Sequence, residues 1–318
     1  VTATSTDYIG MWYRARARLG VDDRIEFIFI NPASGERRTV ALRHRHYDGA
    51  AGIQVAAREV GMKAPEMASA SKREAPAFWR RWGGAPDPRK AAIPQWRQLA
   101  EAEKTTNQPS VTWLNQQQTH KLHQLALEQN VSVNSLLLLA LHRAVSETFL
   151  ISGQPGSWCF PVNMRNSVTI PRTEMNLSSA FYMTVDEQDC AAHVDRSIRA
   201  HLKANVHWRY WHLARIGRWI GQCGVNWLCE RLLNGPQHLG SFSSVGEWQM
   251  DFASGGMAAD SIFACCGPGS PTHPVANGVI VVNGRMSLAL KLHSSLGALQ
   301  QDVDLCLQRW VNRLGVVE

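Results

Sequence analysis

The chain has no cysteine pair at CxxC spacing, and its seven cysteines, Cys159, Cys190, Cys223, Cys229, Cys265, Cys266 and Cys306, form an odd set. This argues against a disulfide framework or a structural zinc site and for free thiols in a reducing, cytoplasmic compartment. No metal site or tightly bound cofactor is expected. The sequence also lacks any apolar run of the roughly 18–20 residues that a transmembrane helix needs. It shows no secretory signal peptide, although a chain that begins at Val1 can have lost its true start. Zinc-finger and aromatic RNA-binding motifs are missing, and the basic residues are scattered, which sets nucleic acid aside as a partner. No short internal repeat is visible.

What is present is enough apolar material for a sizeable core: 318 residues, 45% of them hydrophobic. That suits one large domain or two subdomains. The formal charge of +7, from 33 basic and 26 acidic residues, favours anionic partners such as a phosphorylated carrier, a nucleotide-bearing thioester or an anionic membrane surface touched peripherally.

The first 50 residues read as strands separated by turns. Arg24 to Ile30 is rich in aromatic and β-branched residues, Asn31 to Glu36 holds a Pro and a Gly, and Arg38 to His46 returns in extended form. Ala50 to Val60 carries apolar residues on one helical face, and Asp48 stands where a carboxylate favours a helix start. From Gly61 to about Pro109, Pro65, Pro76, Pro86, Pro88 and Pro94 together with Lys72, Arg73, Arg80, Arg81, Arg89 and Lys90 and with Trp79, Trp82 and Trp96 describe a long crossover between two halves.

Helices are expected over Gln116–Glu128 and from Asn134 to Val145, the second capped by Asn130 or Ser132. Ser157–Val162 and the segment ending at Val185 read as strands, and Cys190–Leu233 as helical. Val275–Val282 and Arg285–Leu292 form a hairpin around Asn283-Gly284. A last helix spans about Gln300 to Leu314. Strands and helices in this order make an α/β sandwich with a mixed sheet.

The most informative stretch is Arg43-His44-Arg45-His46-Tyr47-Asp48-Gly49. A neutral imidazole can take a proton from an alcohol, amine or thiol attacking a carbonyl, and His44 is placed for that work at a strand end. His46 is the reserve base, sharing His44's face if the strand persists. Asp48 could orient the imidazole, but the turn favours a structural role in which it pairs with Arg165. Cys265-Cys266 reads as a packed or free pair in a turn. Trp208, Tyr210, Trp211, Trp219, Trp227 and Trp248 fit core packing by their spacing, or the lining of an apolar acyl tunnel.

Arg43 to Gly49 resembles the HHxxxDG signature of the CoA- or carrier-dependent acyltransferase superfamily, which includes nonribosomal peptide condensation domains and wax ester synthase-like enzymes. Phe160-Pro161-Val162-Asn163-Met164-Arg165 resembles the family's strand ending in arginine, Met175-Asn176-Leu177-Ser178 its G-N-x-x segment, Phe242-Ser243-Ser244-Val245-Gly246 its S-N-x-G element, and Asn283 to Leu290 its late hairpin. Arg43 stands at the first histidine position.

The resemblance implies a chloramphenicol-acetyltransferase-like two-lobe sandwich: a shortened N-terminal lobe and crossover over 1–109 and a second lobe over 110–318. It implies acyl transfer from a CoA or phosphopantetheinyl carrier-protein thioester to a hydroxyl or amine, forming an ester or amide. His44 is then the catalytic base, Asp48, Gly49 and Arg165 support the site, and Ser243, Ser244 and Asn176 contact the oxyanion or substrate. The competing expectation is a non-catalytic binding or scaffold protein that keeps the fold.

Overall fold

The computed structural model describes residues 8–66, 75–77, 86, 89–97, 108–168, 175–234 and 237–316. Helix α1 (Tyr8–Arg18) precedes β1 (Arg24–Ile30), β2 (Arg37–Arg43) and α2 (Gly49–Glu59). There follow β3 (Ser110–Leu114), α3 (Gln116–Glu128), α4 (Val133–Phe149), β4 (Gly156–Asn163) and β5 (Ser178–Val185). Helices α5 (Ala191–Lys203), α6 (Val206–Arg215) and α7 (Gly217–Leu233) come next. The chain closes with β6 (Gly240–Ser241), β7 (Ser244–Trp248), β8 (Ile262–Cys266), β9 (Val275–Val282), β10 (Arg285–Leu292) and α8 (Gln300–Asn312).

The strands form two sheets. In the smaller, β1 lies between β2 and β8, antiparallel to both. Phe27 and Phe29 on one face of β1 and Ile28 on the other are buried, as a central strand covered on both sides requires. Residues from late in the chain thus complete a sheet that the first hairpin begins. The larger sheet runs β3-β10-β9-β6-β4-β5, with β7 also pairing with β9. The β9–β10 hairpin turns at Asn283 and Gly284, both with positive φ, the conformation that this dipeptide adopts most readily.

The main core lies between the larger sheet and its helices. Trp158, Phe181, Leu288 and Leu290 from the sheet meet Leu138, Leu141, Trp208, Trp211 and Trp310 from α4, α6 and α8. A second core joins β1, α2 and β8 through Phe27, Ile53 and Phe263, with Phe252 from the segment between β7 and β8 packed among them. Glycine is needed where α2 crosses β1, because a Cβ on Gly52 would sit 2.2 Å from the Phe27 ring.

Three expectations need correction. The first 50 residues are not all strands and turns: α1 is a helix whose Ile9, Trp12, Tyr13 and Arg16 carry the 0, 3, 4, 7 spacing of one helical face. Cys265 and Cys266 lie in β8, not a turn, and both are buried. The tryptophans divide: Trp208, Trp211 and Trp248 are core, but Trp219 and Trp227 on α7 are 88% and 58% exposed. Helix α7 breaks at Gly221, whose φ is 64°, so a single periodicity does not carry through it. Much of the expected crossover, including Lys72, Arg73, Trp79, Arg80, Arg81, Trp82 and Pro88, lies outside the described residues.

Among the described residues no helix is long and apolar enough to cross a membrane, and no group of three His, Cys, Asp or Glu side chains is placed to hold a metal ion.

Candidate functional site

Strand β2 stops at Arg43, and residues 44–47 turn before Asp48 opens α2. The turn is tied from three sides. His44 N donates to the Asp23 carbonyl at 2.6 Å, Tyr47 N to the Arg43 carbonyl at 3.2 Å, and Asn176 N to the His46 carbonyl at 2.9 Å. Strand pairing therefore ends one residue before His44. His46 does not share its face: it is exposed, and its Nε2 accepts from Arg45 Nε at 3.0 Å.

The imidazole of His44 is fixed by its own backbone. Nδ1 lies 2.9 Å from the Tyr47 carbonyl oxygen. A carbonyl can only accept, so Nδ1 carries the proton and Nε2 keeps the lone pair. Asn176 Nδ2 is 3.3 Å from Nδ1, but two donors cannot bond each other, and the amide instead donates to the His44 carbonyl at 2.8 Å. Burial holds the His44 pKa below the usual histidine value, outweighing the opposing pull of the Tyr47 carbonyl and the Asp48 charge. The ring is neutral at pH 7, with Nε2 as its basic atom.

Asp48 does not touch that ring. Oδ1 accepts from Ala51 N at 3.0 Å, capping α2, and from Arg165 Nη2 at 2.9 Å. Oδ2 accepts from Arg165 Nη1 at 2.7 Å and from Leu177 N at 2.8 Å. Both side chains are buried. Arg165 also donates to Asn163 Oδ1 at 3.2 Å and to the Met175 carbonyl at 2.7 Å. One fork-on-fork pair thus joins the start of α2, the end of β4 and the approach to β5, and each carboxylate oxygen accepts twice.

Gly49 is set by packing. A Cβ there would meet Val245 Cγ1 at 2.5 Å, so glycine lets the turn lie against β7 and brings the Ser243-Ser244-Val245 segment to its side. Ser243 N donates to Asn277 Oδ1 at 3.1 Å, and Asn277 Nδ2 donates to the Ser241 carbonyl. Ser244 is exposed. Asn176 is buried, with its amide nitrogen engaged by the His44 carbonyl and Tyr13 Oη, at 2.8 and 3.2 Å, and its Oδ1 by Ser178. In this arrangement it positions the turn.

The sequence reading missed Tyr13 and Arg16. The Tyr13 ring lies 5.5 Å from the His44 ring, and burial pushes its phenol up to about 12. It also missed a second polar cluster. Ser178, Ala180 and Tyr182 alternate along one face of β5 opposite Asn163, Pro161 and Cys159 of β4, and this face is less buried than the one carrying Ser179, Phe181 and Met183. The strip runs from Asn176 to Tyr182, whose hydroxyl lies 2.9 Å from His273 Nε2. His238 stacks on His273 at 4.7 Å. The helical spacing of α1 could have revealed the first pair; the second needs the register of β4 and β5.

A cavity of about 320 Å³ lies elsewhere, lined by Arg97, Arg143, Ser146, Glu147, Glu187 and Arg313 among others. None of its lining residues belongs to the His44 turn. Burial disfavours the thiolate of three cysteines: it pushes Cys159 and Cys265 up to about 12 and Cys266 higher still.

No protein-family model matches the sequence, and no curated protein matches it. Solved structures do match. The chain is similar to the epimerization domain from the third module of tyrocidine synthetase B, at 13% identity and a TM-score of 0.51, covering 88% of this chain and 68% of that one. It is similar to polyketide synthase associated protein 5 from Mycobacterium tuberculosis, at 16% identity and a TM-score of 0.51, covering 90% and 74%. It is also similar to the first condensation domain of the calcium-dependent antibiotic synthetase in complex with a substrate analogue, at 11% identity and a TM-score of 0.52, covering 96% and 71%. At these identities the likeness is one of fold: the chain has a mixed α/β, two-sheet, condensation-domain-like architecture.

Proposed function

We propose that this chain is a transferase that moves an acyl group from a CoA or carrier-protein thioester to a hydroxyl or amine, with His44 as general base. The observation that carries the reading is the Nδ1 contact to the Tyr47 carbonyl, which leaves Nε2 as the basic nitrogen, on a turn clamped by the Asp48–Arg165 pair. Such a base contributes about 10² to 10⁴ in rate.

The acceptor's O–H or N–H proton passes to Nε2 as its oxygen or nitrogen bonds to the thioester carbon. Donors near the turn, the Ser243 and Ser244 hydroxyls or the amides around Gly49, stabilise the resulting oxyanion. Collapse breaks the C–S bond, and the leaving thiolate takes the proton back from Nε2. No acyl-enzyme is required and no metal is invoked.

In this reading residues 1–109 belong to an N-terminal lobe and crossover and 110–318 to the second lobe of a chloramphenicol-acetyltransferase-like pair, working in the cytoplasm. The enzyme's partners are the thioester donor, an acyl carrier protein where one presents it, and the acceptor.

One observation favours a second reading, a non-catalytic binding protein. Tyr13 packs beside His44 while the described cavity lies away from it. Assay of the purified chain with acyl-CoA and acyl-phosphopantetheine donors against alcohols and amines separates the two. Transfer that falls by at least about 10² in His44→Ala supports the first; transfer undiminished in that variant overturns the base role.

A further inference from the structure

We infer that Arg16 binds a carboxylate of the acceptor beside His44, so that the site selects hydroxy or amino acids over neutral alcohols and amines. Arg16 follows Tyr13 by one helical turn on α1. Its guanidinium carbon lies 5.7 Å from the Tyr13 ring centroid, and that ring lies 5.5 Å from His44. The guanidinium and the base therefore pack against the same phenol.

The Arg16 charge has no counterion among the described residues. Its Nε is buried without a hydrogen-bond partner there. The two carboxylates that act on His44 are committed to other cations, Asp48 to Arg165 at 2.7 Å and Asp23 to Arg43 at 2.8 Å. The positive charge of Arg16 is felt at His44, Cys159, Tyr182 and His273.

A buried guanidinium N–H without a partner is costly, and such groups are rare enough to call for an explanation. The planar fork of arginine matches a carboxylate through two parallel hydrogen bonds. An acid that offers its hydroxyl to His44 and its carboxylate to Arg16 reaches two groups that share the Tyr13 ring as a neighbour. This suits a carboxylate a few bonds from the attacking atom and not the phosphate at the far end of a pantetheine arm.

The choice of acceptor rests on the acyl-transfer reading, but the test needs no turnover. Calorimetric titration of the full chain compares 3-phenyllactate and phenylalanine with their primary amides. The acids are expected to bind at least about tenfold more tightly, the equivalent of one charge-assisted hydrogen bond. Arg16→Gln is expected to erase that preference and Arg16→Lys to restore part of it, neither lowering the melting point. Equal binding of acids and amides, or a preference that survives Arg16→Gln, overturns the inference. So does a preference for 4′-phosphopantetheine over pantetheine that Arg16→Gln removes, since it assigns the guanidinium to the donor. A chain that prefers the acids through Arg16 yet transfers no acyl group sinks the acyl-transfer reading and leaves the carboxylate site standing.

Discussion

Asp48 and Arg165, 117 residues apart in sequence, meet through two hydrogen bonds of 2.7 and 2.9 Å. The carboxylate caps α2 with one oxygen and holds the Leu177 amide with the other. Asp48→Ala and Arg165→Ala are each expected to lose about 3–5 kcal/mol, because either leaves a buried charge without its partner. Urea unfolding measures this, and midpoints equal to that of the parent would remove the pair from the account of the site.

With His44 as the proposed base, its protonation state is expected to set the acid limb of activity. Burial lowers its pKa, so the neutral, base-competent form persists below the ordinary histidine value. The kcat/KM for acyl transfer is expected to stay flat from pH 8 down past about 6.5 and to fall only below it. An inflection above pH 7 would mean that a different group is the base.

Stability is expected to show its own acid dependence. Burial lowers His142 to about 4 and His273 to about 3 from an ordinary 6.5. Folded-state values below the unfolded ones mean that the unfolded chain takes up these protons first. The contribution is thus complete above pH 6.5 and lost progressively as the pH falls toward 4 and then 3. Thermal melts across this range should decline, and less steeply in a His142→Asn, His273→Asn double variant.

Three glycines form a graded packing test. A Cβ would lie 2.2 Å from Phe27 at position 52 and 2.5 Å from Val245 at position 49, but would meet nothing within 4 Å at Gly267. Gly52→Ala and Gly49→Ala are expected to cost about 1–3 kcal/mol through overpacking, and Gly267→Ala to change the melting point little. Only Gly49→Ala should also disturb the His44 turn, seen as a fall in kcat beyond that of Gly52→Ala.

Thiol chemistry should separate surface from interior. Cys190 and Cys223 are exposed, whereas Cys229, Cys265, Cys266 and Cys306 are buried. Iodoacetamide on the native protein is expected to label the first two and leave transfer intact. Loss of transfer on labelling Cys190 or Cys223 alone would reopen the question of a cysteine near the site.

Local signals carried most of the fold. Gln116–Glu128 and the hairpin around Asn283-Gly284 coincide with the observed elements, because each is specified by its own periodicity and turn residues. Ser132, not Asn130, caps α4 through its bond to Ser135 N. What escaped the sequence was set by distant partners. Nothing within Ile262–Cys266 announces that it pairs with Arg24–Ile30, and two-residue β6 gains its strand character from β4 and β9 alone. The candidate site divides the same way. His44, Asp48 and Gly49 are contiguous and legible, while Tyr13 approaches them only through the packing of α1.

The arrangement of β8 beside β1 also sets a timetable. The first hairpin leaves the ribosome with a bare edge where Phe29 should meet Phe263, 4.9 Å away in the finished protein. At about 5–20 residues per second, tens of seconds pass before residues 262–266 emerge to cover it. During that interval the nascent chain displays an aromatic strand edge that can pair with another chain, a hazard that lasts until residues 262–266 have been made.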